Sequence, residues 1–392
     1  YLTSQRFKVV ALADLNEDAM SEFDTEFGLT SNHYVDAREM LSTENLDVIS
    51  VGTWHIGHAT WTIAAAGHRP KAILCEKPMA DTPGRAEQML IACNRNDVKL
   101  AIAHQRRFLP AYTLARQMIA EGAIGDVQWM TAVGAQGLPN YCTHQTDMFR
   151  YLLSDDTCTW VMGNIERKTD RWERNTRIED SAEAVFQFAG GARANIICDL
   201  GAEVYQGAKI YGSDGLIDLT VKNLQILNAS TSGKWETHQP EGRWAQPDEP
   251  RFEYHEAGVA QAEELANWVE GKIDVHRGES QHGYQALQMI HAIYESARCH
   301  ERVVLPLQTR LNPLDVMIDS GHLTPERPGK YEIRATRLRG EGMDQEVDEG
   351  AHLGLGEAAG RVDGIDALRL DRQIGYHILD QPLLHRARIE ET

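Results

Sequence analysis

From residue 7 the chain reads as short, almost wholly apolar runs separated by segments whose apolar positions recur at helical spacing. Residues 7–13 (FKVVALA) form the first run and end at Asp14. Met20, Phe23 and Phe27 then repeat every three or four positions, and Gly28 supplies a stop. Residues 48–51 make a second run, followed by a short helix from about Gly57 to Gly67. Residues 72–75 make a third, which ends in Glu76-Lys77-Pro78. Ala86, Met89, Leu90 and Cys93 mark the next helix, and residues 100–103 a fourth run. Continuous apolar runs alternating with helices predict a parallel sheet covered on both faces. The ligand crevice of such a sheet lies beyond the carboxyl ends of its strands. Asp14, residues 53–58, residues 76–78 and residues 104–107 all fall at those ends.

Past about residue 125 the pattern changes to alternation. Residues 127–133, 160–165, 182–188, 192–199, 208–211 and 216–219 are separated by turn residues, and Gly190-Gly191 and residues 212–215 read as hairpin connections. Two helices follow, one with Val259, Ala262, Ala266 and Val269 in register, the other with Ala286, Ile290, Ile293 and Ala297. Beyond about Thr336 the chain is rich in glycine and acidic residues with weak periodicity, which predicts a mobile or poorly packed extension. The expected fold class is α/β: a Rossmann-type parallel-sheet domain over residues 1–122, then an α+β domain with a large, mostly antiparallel open sheet over 123–335, then the tail 336–392.

A length of 392 residues agrees with two domains. The formal net charge of -19 argues against a nucleic-acid partner, which requires a concentrated basic face. No apolar run reaches bilayer length and no secretory signal is present, so no membrane partner is expected. Cys75, Cys93, Cys142, Cys158, Cys198 and Cys299 form no CxxC pair, which points to reduced thiols in a cytoplasmic protein.

Four places carry candidate chemistry. Asp14 closes the first run, where an acid either accepts hydrogen bonds from an adenosine ribose and repels a 2′-phosphate, or caps the following helix. A glycine-rich phosphate loop belongs about 20 residues before such an acid. Only thirteen residues precede Asp14, so the first strand and its loop are expected to be missing. Glu76-Lys77-Pro78 puts an ammonium at the crevice, where desolvation lowers its pKa and fits it to assist loss of an alcohol proton. The alternative is a surface ion pair opening a helix. His55 and His58 form an HxxH pair, but further ligands with defined geometry are wanting, and no metal is expected. Arg106, Arg107 and Arg150 could bind a substrate or form ion pairs, and Trp160 and Trp172 could line a sugar pocket or pack in the core.

Several segments together resemble the Gfo/Idh/MocA family, named for glucose–fructose oxidoreductase and inositol dehydrogenase. Cys75-Glu76-Lys77-Pro78-Met79-Ala80 looks like its EKP motif, and Ala13-Asp14-Leu15-Asn16 like the ribose-binding end of its second strand. Residues 52–58 (GTWHIGH) resemble its TPNxxH loop, with Trp54 and His55 in place of Pro and Asn. Residues 105–110 resemble the segment beside the nicotinamide, and residues 121–127 the entry to the second domain. Residues 180–192 and 212–216 resemble its open-sheet core, so that the likeness spans roughly residues 7 to 307. The family's DxGxH motif with a later aspartate here reads Asn140 to Asp147, with His144 as the histidine, Asp147 as the downstream acid and Asn140 where an aspartate is usual.

The resemblance implies a dehydrogenase that moves hydride between nicotinamide and a sugar, cyclitol or related polyol. Lys77, His144 and Asn140 are its expected catalytic residues. Asp14, Thr53, His55, His58, Glu76, Lys77, Gln105 and Arg106 are expected at the cofactor, and Lys77, His144 and Asp147 at the substrate. Asp14 favours NAD over NADP. Homo-oligomerisation through the second-domain sheet is implied as well. Two other activities fit the same likeness: an NAD-using glycoside-cleaving enzyme, and a non-catalytic sugar or nucleotide sensor.

Overall fold

The computed structural model describes residues 1–200, 207–240, 252–328 and 384–389. Its first sheet has the strand order Asn32–Tyr34, Ala11–Ala13, Leu384–Ile389, Val48–Val51, Ala72–Cys75, Lys99–Ile102. Of the segments read from the apolar runs, Val48–Val51 pairs in parallel with Ala72–Cys75 and that with Lys99–Ile102, while Ala11–Ala13 pairs in parallel with Asn32–Tyr34, a polar strand the apolar pattern does not mark. In a doubly wound sheet of order 3-2-1-4-5-6 the central slot belongs to the first strand. Here Leu384–Ile389 takes that slot and runs antiparallel to both neighbours and to Phe7–Lys8. This corrects the expectation for the C-terminal extension in part, since six of its residues form a strand inside the sheet; its remainder lies outside the described residues.

Helices cover both faces of this sheet, as continuous apolar strands require. On one side Ile49, Ile73 and Ile102 pack with Ala59, Ala65, Ala86 and Met89, and with Leu287 of the long helix Ser280–Cys299. On the other, Val48, Ala72, Leu74 and Ala101 pack against Ala262, Leu265 and Ala266 of the helix Phe252–Val269. That helix comes late in the chain yet covers the first sheet, so packing does not divide cleanly at residue 122.

The second sheet has nine strands, ordered Glu236–His238, Leu224–Asn228, Gly215–Leu219, Ala208–Gly212, Val127–Gly134, Arg193–Cys198, Ser181–Phe188, Cys158–Glu166, Val303–Val304. All neighbours are antiparallel except Arg193–Cys198 beside Val127–Gly134. Alternate residues such as Met130, Ala132, Ala184, Phe186, Ala194 and Ile196 point into one core, which helices Pro110–Ala120, Thr143–Leu152 and Ser280–Cys299 complete.

Gly163 allows a close approach of helix to sheet. A Cβ there would lie 2.8 Å from the Glu183 carbonyl and 2.9 Å from both Ala184 Cβ and Ile293 Cγ2. Its N–H donates to Ser296 Oγ on the helix at 3.0 Å. Overpacking a filled core typically costs about 1–3 kcal/mol. Gly163→Val should therefore lower the unfolding free energy from urea titration by that amount, and an unchanged value would mean the helix can draw back freely.

Candidate active site

The carboxyl ends of the parallel strands and the segment Leu138–Leu152 of the second unit meet at one place. Lys77 comes from the first side, just after Ala72–Cys75 and ahead of a cis bond to Pro78. Asn140 comes from the second, in a π-helical turn, Leu138–Cys142, that leads into the helix Thr143–Leu152. Lys77 Nζ donates to both the carbonyl oxygen and Oδ1 of Asn140 at 3.0 Å. Burial and the neighbouring Arg174 charge bring its pKa from 10.5 down to about 8.

His144 is buried on the same helix, and its Nδ1 has no hydrogen-bond partner. Burial, then the charges of Arg106 and Lys77, hold its pKa well below 6.5. The histidine is therefore neutral at physiological pH and lies within electrostatic reach of Lys77. The ring of Tyr141 stands edge-on to it with centroids 6.4 Å apart, and Arg106 lies 4.8 Å over that tyrosine ring.

The other expected residues divide into two groups. Asp14 is buried with Oδ1 accepting from Asn16 N at 2.7 Å, and its Oδ2 has no partner. Burial raises its pKa to about 6. The helix Glu17–Phe27 is capped by Asn16, whose side chain accepts from the Asp18 and Ala19 amides, so the capping alternative for Asp14 falls away. His55 starts the helix His55–Gly67 with both ring nitrogens buried and unpartnered, and Trp54 Nε1 and Gln105 Oε1 lack partners as well. Buried polar atoms are nearly always satisfied. Unsatisfied groups gathered at strand ends thus fit a polar ligand that would supply their missing partners. Thr53 is buried beside them and donates from Oγ1 to the Trp54 carbonyl at 3.3 Å. Glu76 accepts from the Lys77 amide at 3.2 Å, and burial raises its pKa.

In the second group the structure gives a different place from the one expected. His58 Nδ1 lies 2.7 Å from the Pro78 carbonyl and Nε2 lies 2.6 Å from the Thr53 carbonyl. Rather than facing a cofactor, it lies between the two loops that carry Thr53 and Lys77, and its one N–H donates to one of the two carbonyls. Burial brings its pKa to about 4. Asp147 does not face the crevice: both its oxygens accept from Arg107 Nε, at 2.9 and 2.8 Å, and Oδ1 also from Nη2 at 2.7 Å. Burial pushes the Asp147 carboxyl up, but Arg107 and His104 outweigh it and hold the pKa below the ordinary value. Arg107 reaches Asp155 as well, and Arg150 donates to the Asp155 carbonyl, so both are structural. Trp160 lies beside the edge strand Val303–Val304, 5.6 Å beneath Arg302.

Two contributors carried no signal in the linear pattern. Glu179 is fully buried; it accepts from Leu138 N at 2.6 Å and from the Tyr294 hydroxyl at 2.5 Å, which anchors the turn bearing Asn140. It also lies near Cys198 and Asp199, a grouping with metal-ligand atoms. Asp199 is engaged by Gln136 N, Gly137 N and Arg171, so these carboxylates serve the loop. Arg174, at the tip of the hairpin Trp172–Glu173/Thr176–Arg177, donates to Asn140 Oδ1 at 3.1 Å.

Comparison with known proteins agrees with this architecture. The profile described as "Oxidoreductase family, NAD-binding Rossmann fold" matches residues 1–104, and that described as "Oxidoreductase family, C-terminal alpha/beta domain" matches residues 127–305. Trans-1,2-dihydrobenzene-1,2-diol dehydrogenase of Mus musculus is 25% identical over 239 residues, covering 56% of this chain and 68% of its own. Levoglucosan dehydrogenase of Pseudarthrobacter phenanthrenivorans is 25% identical over 265 residues, covering 56% and 67%. Among solved structures, levoglucosan dehydrogenase in complex with NADH and levoglucosan shares the fold with a TM-score of 0.66 at 23% identity, over 76% of this chain and 90% of that one. An aldose-aldose oxidoreductase from Caulobacter crescentus does so with a TM-score of 0.64 at 20% identity, over 76% and 92%. With both domain profiles matched in order along its length, the chain belongs to the Gfo/Idh/MocA family of NAD-binding oxidoreductases.

Proposed function

We propose that this protein is an NAD-dependent dehydrogenase of a small polyhydroxylated alcohol, a sugar or cyclitol, in which Lys77 exchanges the proton of the reacting hydroxyl. The observation that carries this reading is the half-buried Lys77 ammonium, bonded across the domain junction to Asn140 and poised near pH 8. Asp14, Thr53, His55, Glu76, Gln105 and Arg106 would hold the cofactor, with the unpartnered Asp14 Oδ2 available to a ribose hydroxyl. Nicotinamide, when bound, supplies the hydride chemistry.

Lys77 Nζ has three positions besides its carbon. Two N–H groups donate to Asn140, which leaves the third for the substrate. Above about pH 8 that third position is a lone pair that accepts the hydroxyl proton in oxidation; below it, an N–H that returns the proton in reduction. A proton-transfer group works best with a pKa near the working pH. His144, held well below 6.5, is too weak a base for that task, and its neutral Nδ1 instead orients a substrate hydroxyl by hydrogen bonding. Asn140 fixes the direction of Lys77. The same reading includes self-association through the outward face of the nine-stranded sheet, where Met162 and Tyr211 are exposed.

Replacement of a proton-transfer group typically costs about 10²–10⁴-fold in rate. Lys77→Met should lose that much in kcat while keeping its melting temperature, and full activity in this variant would remove the assignment. In the wild type, kcat for alcohol oxidation should rise with pH through about 8 and that for ketone reduction should fall through the same value. A flat profile between pH 7 and 9 in both directions contradicts the Lys77 role. Asp14→Asn keeps the shape but removes the charge. By calorimetry it should weaken NAD binding about tenfold, the loss of one charged hydrogen bond, and narrow the gap to NADP. Equal NAD affinity in variant and wild type would place the ribose elsewhere.

A further inference from the structure

The hairpin Trp172–Glu173/Thr176–Arg177 reaches the half-buried Lys77 through one shared acceptor. Arg174 Nη1 donates to Asn140 Oδ1 at 3.1 Å, and Lys77 Nζ donates to the same oxygen at 3.0 Å. Two donors on one oxygen are separated by no more than the sum of those lengths, about 6 Å, a range in which a like charge disfavours the protonated amine. Glu173 Oε1 pairs with Arg174 Nε at 3.1 Å, and the two side chains are only 13% and 15% exposed. Little water is left to screen either charge from Lys77.

Arg174 and Asn175 form the two-residue turn of the hairpin, with φ of 46° and 61°. Glycine, asparagine and aspartate suit such a turn; Asn175 fits it and Arg174 does not. Left-handed backbone at a long side chain persists only where the surroundings hold it. Here both flanks are anchored. Arg171 donates to the Glu179 carbonyl and to Asp199, and Arg177 pairs with Asp315 and Asp319 of the helix Pro313–Asp319. The guanidinium is thus brought to Asn140 from a fixed frame. A carboxamide has an oxygen and an NH2 of nearly the same shape, and Arg174 can only donate. Its bond therefore requires the Asn140 oxygen, not the nitrogen, to point toward both cations.

The other charged or titratable groups around Lys77 come from several elements. Glu76 precedes it, Arg106 stands on the one-turn helix Gln105–Phe108, His55 and His58 on the helix His55–Gly67, His104 just before Gln105, and His144 on the helix Thr143–Leu152. Burial pushes all four histidines toward the neutral form. Among the charges, Arg174 acts most strongly to lower the Lys77 pKa, and Glu76 and Glu173 oppose it.

We propose that Arg174 is a positioning residue for Lys77: it keeps the Asn140 oxygen turned toward the ammonium and, paired with Glu173, fixes the charge field in which that ammonium exchanges its proton. The inference rests on the dehydrogenase reading for the reaction that this proton transfer serves, and adds the residue pair that tunes it. The signs follow from charge. Arg174 disfavours the protonated amine, so its loss makes the proton harder to remove. Glu173 favours the protonated amine, so its loss makes the proton easier to remove. A hairpin with a merely structural role would not move the titration of Lys77 in opposite directions.

Acetic anhydride reacts with lysine only as the free amine. The pH dependence of Lys77 acetylation, read by peptide mass spectrometry on the full chain without cofactor, therefore reports its titration with no turnover required. The midpoint should lie at about 8 in the wild type, rise by about one pH unit in Arg174→Gln, and fall by less than that in Glu173→Gln. Arg174→Lys keeps the charge and should stay near the wild-type midpoint. Should Arg174→Gln fail to fold, the fall in Glu173→Gln decides alone. NADH formation is then followed with myo-inositol, D-sorbitol, D-galactose and levoglucosan. The pH profile of kcat should move with the acetylation midpoint, and in Arg174→Gln the plateau kcat should drop about tenfold with KM for NAD unchanged. Midpoints that stay put, or that move the same way in Arg174→Gln and Glu173→Gln, overturn the inference. If turnover then persists in those variants and is lost in Lys77→Met, the dehydrogenase reading stands without it. Opposite shifts in acetylation with no turnover of any compound by the wild type support the placement of Arg174 and overturn the dehydrogenase reading.

Discussion

A desolvated ammonium at the seam between two sheets sets the conditions for everything around it. Lys77 is delivered by the end of a parallel strand and Asn140 by the far side of the second sheet, and their contact joins segments 63 residues apart in sequence. Burying a cation is costly unless its donors are directed at acceptors. Both supporting loops are accordingly held from behind. On the lysine side His58 lies between the Pro78 and Thr53 carbonyls. On the asparagine side Glu179 and Asp199 hold the amides of Gln136, Gly137 and Leu138, and Tyr294 from the long helix closes on Glu179. Several buried charges thus serve geometry, and their perturbed titration is a by-product of that service.

A second buried layer lies beneath the first. Arg107, Asp147 and Asp155, with Arg150 and Arg116 at the margin, tie the one-turn helix Gln105–Phe108 to the helix Thr143–Leu152. A buried ion pair of this sort adds little net stability, but removing one partner strands the other. It fixes where His144 stands, because His144 and Asp147 share a helix whose ten residues are all buried.

The features that were legible follow from periodicity. Strands buried on both faces appear as unbroken apolar runs, and the half-covered second sheet alternates, so most strands of both sheets and five helices could be read directly. The helix Thr143–Leu152 could not. Being enclosed on every side, it carries Thr, His, Gln, Asp and Arg inward among apolar residues, and so shows no polar face. The resemblance implies ligand roles for Asp147 and His58, and residue type alone cannot tell a carboxylate or imidazole that binds a guest from one that faces Arg107 or two carbonyls. Arg174 and Glu179 lie in stretches without a motif, and their importance comes entirely from what the fold brings to them.

By itself the sequence determined the class of each layer and the order of those strands that appear as apolar runs, because these depend on local patterns; the strand Asn32–Tyr34 and the helix Ala37–Thr43 between them carried no such pattern. Only the tertiary structure decided which polar groups face the crevice and which face each other, that Leu384–Ile389 lies between Ala11–Ala13 and Val48–Val51, and that Phe252–Val269 covers the first sheet. Those outcomes depend on partners dozens or hundreds of residues away, and no local preference encodes a partner's position.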